Sequence, residues 1–259
     1  MPSNQPEDQP ASPAPASPNA TTPPGHHSAQ AAAAADAQMN TITPARTSVG
    51  RLPGMLITVD GPGGVGKSTT VQLIAKVLDD RAIPVHTTTE PTHTALGQHI
   101  RAGTDTYRGM ALACLVAGDR HHHLAAEILP ALQAGKIVVC DRYLPSSLVL
   151  QVIDGLEPDT VWRLNAGVYV PDVAVLLNAD PAVIADRLHQ RGAHSRFERQ
   201  PDASRTESDL YHRAAADLRT AGWPVTALDC TLRRPQAIAM MIAVPVLHTY
   251  RERRQACPS

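Results

Sequence analysis

The sequence predicts an α/β domain in three layers: a parallel sheet of five strands with helices on both faces. Three observations carry that prediction. Five short apolar runs recur along the chain: MLITV, PVHTT, KIVVC, VAVLL and VTALDC. Segments with apolar residues at helical spacing separate them. The first run leads directly into a glycine-rich turn that opens a helix. Strands that alternate with helices pair in parallel, with right-handed crossovers, because each helix folds back over the sheet.

The chain has 259 residues, with 23 Lys and Arg against 24 Asp and Glu. So balanced a charge gives no general attraction for nucleic acid. Residues 1–50 hold nine of the 23 prolines and no Leu, Phe, Trp or Tyr. Such a segment buries too little apolar surface to offset its ordering entropy, and a disordered Pro/Ala-rich tail is expected. No basic stretch precedes an apolar core there, so it does not read as a secretory signal. Residues 51–250 are long enough for one substantial core. Residues 251–259 read as a basic tail with no evident role. Cys114, Cys140, Cys230 and Cys257 lack C-x-x-C spacing, and three of them fall in apolar runs as buried small hydrophobes. No apolar run reaches transmembrane length. Together these features predict a soluble cytoplasmic protein with no membrane or nucleic-acid partner.

In chain order, Met55 to Val59 is apolar, Asp60 follows, and Gly61 to Ser68 spells G-x-x-x-x-G-K-[ST]. Val71, Ile74, Ala75, Val77 and Leu78 then share one helical face. Glycines between a buried strand and a helix are the setting of a phosphate-binding loop. Gly61, Pro62, Gly63, Gly64, Val65, Gly66, Lys67, Ser68 and Thr69 are therefore the expected ATP site. The glycines let backbone N–H groups point inward, and the helix N-terminus adds partial positive charge. Lys67 brings a full charge to the terminal phosphates and Ser68 a hydroxyl for Mg²⁺.

Pro84 to Thr88 reads as the second strand, ending in Thr89-Glu90-Pro91. Polar groups at the carboxyl end of a strand face the ligand crevice. Glu90 and nearby His93 are thus site candidates, with a solvated turn as the plain alternative. Ala95 to Arg101 forms a short helix. Tyr107 to Ala134 is one long helix, apolar along Leu112, Leu115, Val116, Leu124, Ile128, Leu129 and Leu132. The triplet His121 to His123 makes a poor metal cage, because adjacent helical residues point apart. Arg120 follows the apolar face directly.

Lys136 to Cys140 is the third strand, with Asp141-Arg142-Tyr143 at its end. Asp141 stands where a second Mg²⁺-organising carboxylate is needed, and Arg142 can grip a phosphate bidentately. The alternative is a structural ion pair. Pro145-Ser146-Ser147 opens a helix carrying Gln151, and Pro158 to Gly167 forms another. Val173 to Leu177 is the fourth strand. Asp180 caps the next helix and Pro181 begins it. Arg187 and Arg191 share its face, and Gly192 ends it. With Arg196 they form a cationic cluster beside a short polar loop. That loop is either a solvated surface or a lid, at about residues 191–200, that closes arginines over phosphates. Asp202 to Ala221 is a helix, Val225 to Cys230 the last strand, and Arg234 to Tyr250 the closing helix.

Taken together, these landmarks resemble the thymidylate kinase family. They are Asp60-Gly61 with the loop to Ser68, Thr89-Glu90-Pro91, Arg120, Asp141-Arg142-Tyr143 with Ser146-Ser147 and Gln151, and Arg187 to Glu198. The resemblance implies a five-stranded nucleotide kinase with a mobile lid, a homodimer, and transfer from ATP with Mg²⁺ to a nucleoside monophosphate, dTMP first. It implies catalytic roles for Lys67, Arg142, Arg191 and Arg196, with Arg191 or Arg196 supplying a lid arginine. Glu90, Arg120, Arg142 and Gln151 would bind the acceptor, Arg120 at the pyrimidine carbonyl. Ser68 and Asp141 would order the metal. The chain departs from the family at the acceptor. Gly63 stands for a carboxylate that reaches the sugar 3′-hydroxyl, Val116 for a base-stacking Phe, Leu150 for a Tyr and Thr89 for an Arg. Those losses leave two alternatives. One is a kinase of an acceptor without a phosphate, using Glu90 or Asp141 as base. The other is a non-catalytic ATP-binding regulator.

Overall fold

The computed structural model describes residues 52–192, 195–200 and 202–256. The expected disordered tail over residues 1–50, Cys257, and two lid positions, 193 and 194, lie outside the described residues. Among the described residues, no helix is long and apolar enough to cross a membrane.

Five parallel strands form one sheet in the order β2-β3-β1-β4-β5. They are β1 (Met55–Asp60), β2 (Val85–Thr89), β3 (Ile137–Asp141), β4 (Val173–Asn178) and β5 (Val225–Asp229). β1 lies at the centre, paired in register with β3 (Val59 opposite Asp141) and β4 (Asp60 opposite Leu176). Alternation along the strands divides the core. Met55, Ile57, Val59, Ile137, Val139, Val175 and Leu177 face one helical layer. Leu56, Val138, Cys140, Ala174 and Leu176 face the other. A strand buried on both faces must be apolar at nearly every step, which is why β1 and β3 read as apolar runs.

The first layer holds α1 (Lys67–Asp79), α7 (Pro181–Arg191) and α9 (Pro235–Ala256). The second is built from α4 (Leu129–Gln133), α5 (Leu144–Ile153), α6 (Pro158–Leu164) and α8 (Ala203–Thr220). Two more helices, α2 (Ala95–Gly103) and α3 (Gly109–His123), pack together around a third, smaller cluster of Ile100, Leu112 and Phe197.

The structure corrects the sequence reading in three places. The long helix is not continuous. A π-helical turn, Leu124–Ile128, separates α3 from α4. Pro130 explains the break, since it has no N–H to give and its ring crowds the carbonyl one turn back. Cys114 is exposed on α3, while Cys140 and Cys230 are buried as expected. The basic end is part of the fold, because α9 continues to Ala256. Arg253 pairs with Asp172, and its guanidinium also donates to the carbonyls of Leu52 and Gly54. Asp172 accepts in turn from the Leu56 amide, at 2.9 Å. The last helix therefore fixes the entry of the central strand.

That pair is nearly buried, with side-chain exposures of 7% and 12%. Removing one partner leaves the other uncompensated, which typically costs about 3–5 kcal/mol. Arg253→Ala is expected to lose stability in that range. Urea unfolding of the variant beside the parent checks it.

Candidate active site

The site is built on the carboxyl ends of β1 and β3. Gly61 turns the chain out of β1 at φ +149°, and a Cβ there would come within 2.4 Å of the Leu177 carbonyl. Only glycine lets the loop lie that close to β4. The loop then runs into α1, whose first residues are Lys67 and Ser68. Lys67 Nζ donates to the carbonyls of Gly61 and Pro62, both at 2.8 Å. Ser68 Oγ donates to Asp141 Oδ2 at 2.5 Å. The loop and the end of β3 are thus joined through side chains.

Asp60 holds the other half of the site. Its Oδ1 accepts from the Tyr143 amide at 2.9 Å, and from the amide and hydroxyl of Ser146 at 3.0 and 2.7 Å. These bonds cap α5 and set the Asp141-Arg142-Tyr143 turn. Burial pushes the Asp60 carboxyl above its ordinary range, against the pull of those bonds and of Arg142. Arg142 adopts a left-handed backbone, φ +75°, a strained setting for a residue with a Cβ. Its amide donates to the Val59 carbonyl at 3.0 Å.

A cleft of about 790 Å³ opens over these groups. One wall is the loop and α1, from Gly64 to Thr69. Another carries Thr89, Glu90, Pro91, Asp141 and Arg142, and a third is the end of α2 with Arg101 and Asp105. The roof is Arg187, Arg191, Ser195 and Glu198. Lys67, Ser68, Asp141, Arg142 and Arg191 therefore share one space, as the sequence leads one to expect. Arg101 was not anticipated. It sits near the end of the short helix α2 and donates to the carbonyls of Pro91 and Thr92.

Other expected site residues are engaged within the fold, among them Glu90 at the cleft wall. Arg120 is 1% exposed and does not line the cleft. It donates to Glu90 at 2.7 Å, to Ser147 at 2.8 Å and to Asn165, and it lies over the Tyr143 ring. The guanidinium is engaged within the fold on its edge and its face. Glu90 is no solvated turn either. Its carboxylate, 4% exposed, is shared between Arg120 and His123, whose other ring nitrogen meets Thr88. Of the histidine triplet, His121 and His122 are exposed and His123 is buried. Gln151 is buried outside the cleft, and its Oε1 has no hydrogen-bond partner among the described residues. His93 is exposed.

The two arginines of the expected lid also part company. Arg191 lines the cleft and pairs with Glu198 at 2.8 Å. Arg196 is 8% exposed, paired with Asp154 at 2.8 Å, bonded to the Thr104 carbonyl at 2.8 Å, and stacked over Phe197. Phe197 in turn enters the cluster against which Val116 and Leu150 pack. Arg196 therefore anchors the segment and does not face the cleft.

The donor set suits a small hard cation. Asp141 Oδ1 is buried without a hydrogen-bond partner among the described residues, and Oδ2 already meets the Ser68 hydroxyl. A carboxylate beside a hydroxyl at the foot of a phosphate loop is oxygen-rich and anionic, as Mg²⁺ requires.

A parallel sheet in this order, with such a loop after the central strand and arginines across the cleft, defines a phosphate-loop nucleotide kinase. Residues 59–222 match the family described as thymidylate kinase. A probable thymidylate kinase of Caldivirga maquilingensis is 36% identical over 175 residues, 66% of this chain and 84% of that protein. The thymidylate kinase of Clavibacter sepedonicus is 36% identical over 203 residues, 70% of this chain and 94% of its own. That of Xanthomonas euvesicatoria pv. vesicatoria is 37% identical over 193 residues, covering 73% and 84%. The chain belongs to the thymidylate kinase family.

Lys67 yields a pH prediction. Burial first, then Arg142, pulls its ammonium from 10.5 down to about 7, against Asp141, Glu207 and Asp60. Between those values the folded protein holds fewer protons here than the unfolded chain, so this group makes stability rise with pH across that window. Phosphates bound beside Lys67 favour its charged form. At pH about 8, ATP binding is expected to take up as much as one proton. Calorimetry in two buffers of different ionisation enthalpy measures this, and Lys67→Met should abolish it.

Proposed function

We propose that the protein transfers the γ-phosphoryl group of ATP to dTMP, giving dTDP and ADP. The contact between Ser68 and Asp141 carries the reading, because it sets metal-ordering oxygens, phosphate loop and arginine roof around one cleft. Loop amides and Lys67 hold the donor phosphates, with Lys67 leaving its resting carbonyl contacts to do so. Ser68 and Asp141 hold Mg²⁺, which when bound offsets charge on the donor phosphates. Arg142, beside Asp141, holds the acceptor phosphate.

An acceptor phosphate oxygen attacks the γ-phosphorus in line. The bond from that phosphorus to the β–γ bridging oxygen breaks, and ADP leaves. A phosphate acceptor needs no strong base, so positioning and charge neutralisation suffice. This agrees with Glu90, whose carboxylate is committed to Arg120 and His123. Arg191 is the lid arginine that faces the transferring group, and Arg196 fixes the lid on which it depends. We include the homodimer in this reading, to be checked by sedimentation.

A coupled ADP-release assay with a panel of nucleoside monophosphates tests the reading, with dTMP expected to turn over best. Removal of one preorganised donor at a charge-developing site typically costs about 10²–10³ in kcat. Arg191→Ala is expected to fall in that range with unchanged melting temperature, since its side chain is 41% exposed. Arg196→Ala is expected to lower the melting temperature and raise KM, with a smaller loss of kcat. Equal effects of the two variants would refute the division of roles.

A further inference from the structure

A loop this rich in glycine is hard to hold still. Gly61, Gly63, Gly64 and Gly66 fall within six residues, and each brings backbone freedom that must be lost before the loop can grip a ligand. Inside the loop, the Val65 amide donates to the Pro62 carbonyl at 3.3 Å. Lys67 adds its two bonds to the Gly61 and Pro62 carbonyls, but in the proposed reaction it gives them up for the donor phosphates. A further hold comes from far along the chain. The Gly63 amide donates to Glu207 Oε2 at 2.8 Å. Glu207 projects from α8 and is 3% exposed. The loop wall of the cleft begins at Gly64, so this bond lies behind it.

We propose that Glu207 is a positioning residue for the phosphate loop: it holds Gly63 from behind, so that the loop from Gly64 onward already faces the donor phosphates when nucleotide arrives. The inference rests on the reading of that loop as the donor site.

Bonding and charge support it. A carboxylate that accepts from a backbone amide makes a charge-assisted bond, stronger than one between neutral groups. Both partners sit outside the cleft lining, so bound phosphates compete for Lys67 but not for this bond. An anion buried so near a polyanion site needs compensation. It finds it in Lys67 and Arg142, whose charged forms Glu207 favours. One turn along the same face of α8, the Tyr211 hydroxyl meets Ser146 Oγ at 3.0 Å. Ser146 belongs to the Asp60 network in the other half of the site. The helix thus reaches the two halves through two separate side chains, and of that pair Glu207 is the one on the loop.

The experiment measures ADP affinity with Mg²⁺ by calorimetry on the full chain, which needs no acceptor, in the parent and in Glu207→Ala, Glu207→Asp, Glu207→Gln and Tyr211→Phe. Glu207→Ala should weaken ADP by at least about tenfold, as expected for one hydrogen bond to a charged group. Glu207→Asp keeps the charge but withdraws the oxygen, and should weaken ADP likewise; it carries the test if the alanine variant does not fold. Glu207→Gln keeps an oxygen for the amide and should stay within about threefold of the parent. Tyr211→Phe removes a bond from the same helix face and should lower the melting temperature with ADP affinity unchanged. In turnover, Glu207→Asp should raise KM for ATP and leave KM for the monophosphate unchanged. A Glu207→Asp protein that binds ADP as tightly as the parent overturns the proposal. So does an equal loss of ADP affinity in Glu207→Asp and Tyr211→Phe, which would trace the effect to α8 as a whole. ADP affinity that depends on Glu207 in a protein that turns over no monophosphate upholds the proposal and overturns the proposed phosphoryl acceptor.

Discussion

The loop and the Asp141-Arg142 turn can face one another only because β1 and β3 are hydrogen-bonded neighbours. Strand pairing sets their carboxyl ends side by side, with Val59 opposite Asp141 and the Arg142 amide on the Val59 carbonyl. Nothing nearer in sequence relates them. The cores on both faces of the sheet hold that register, since a one-residue slip would turn every side chain over to the opposite face. Asp60 then converts register into geometry by capping α5 from the end of β1.

The buried charges divide into two groups with different work. Glu90, at the cleft wall, and Arg120 and His123 behind it satisfy one another, joining β2, α3 and α5. A charge left unpaired at such depth would be costly, so the three persist or change together. Lys67, Asp141 and Arg142 instead border open space. Oxygen and nitrogen groups at such a border suit a polyanionic ligand and its cation.

How much of this was legible in the sequence follows from the range of each interaction. The strands, the loop and Asp141 were legible because each announces itself within about ten residues of chain, through periodicity or a fixed spacing. Asp180 and Pro181 opened their helix as expected. Arg120 was legible as an arginine on an apolar face, but its buried contacts were not, since those partners lie 27 to 45 residues away. The split between Arg191 and Arg196 was illegible for the same reason: only the fold brings Asp154 and Thr104 to Arg196. The end of the chain was misread because the charged run Arg251-Glu252-Arg253-Arg254 looks solvated throughout, whereas helical geometry carries Arg253 to Asp172. Arg101 and Glu207 carried no local signal at all.

Asp154 has one further consequence. Its two oxygens hold distant segments at once, Arg196 in the lid and the Gly109 amide at the start of α3. The lid and the helix bearing Val116 are therefore moored to a common post. A substitution that shifts α3 near Val116 is therefore felt at Arg196 as well, since both are held by one carboxylate.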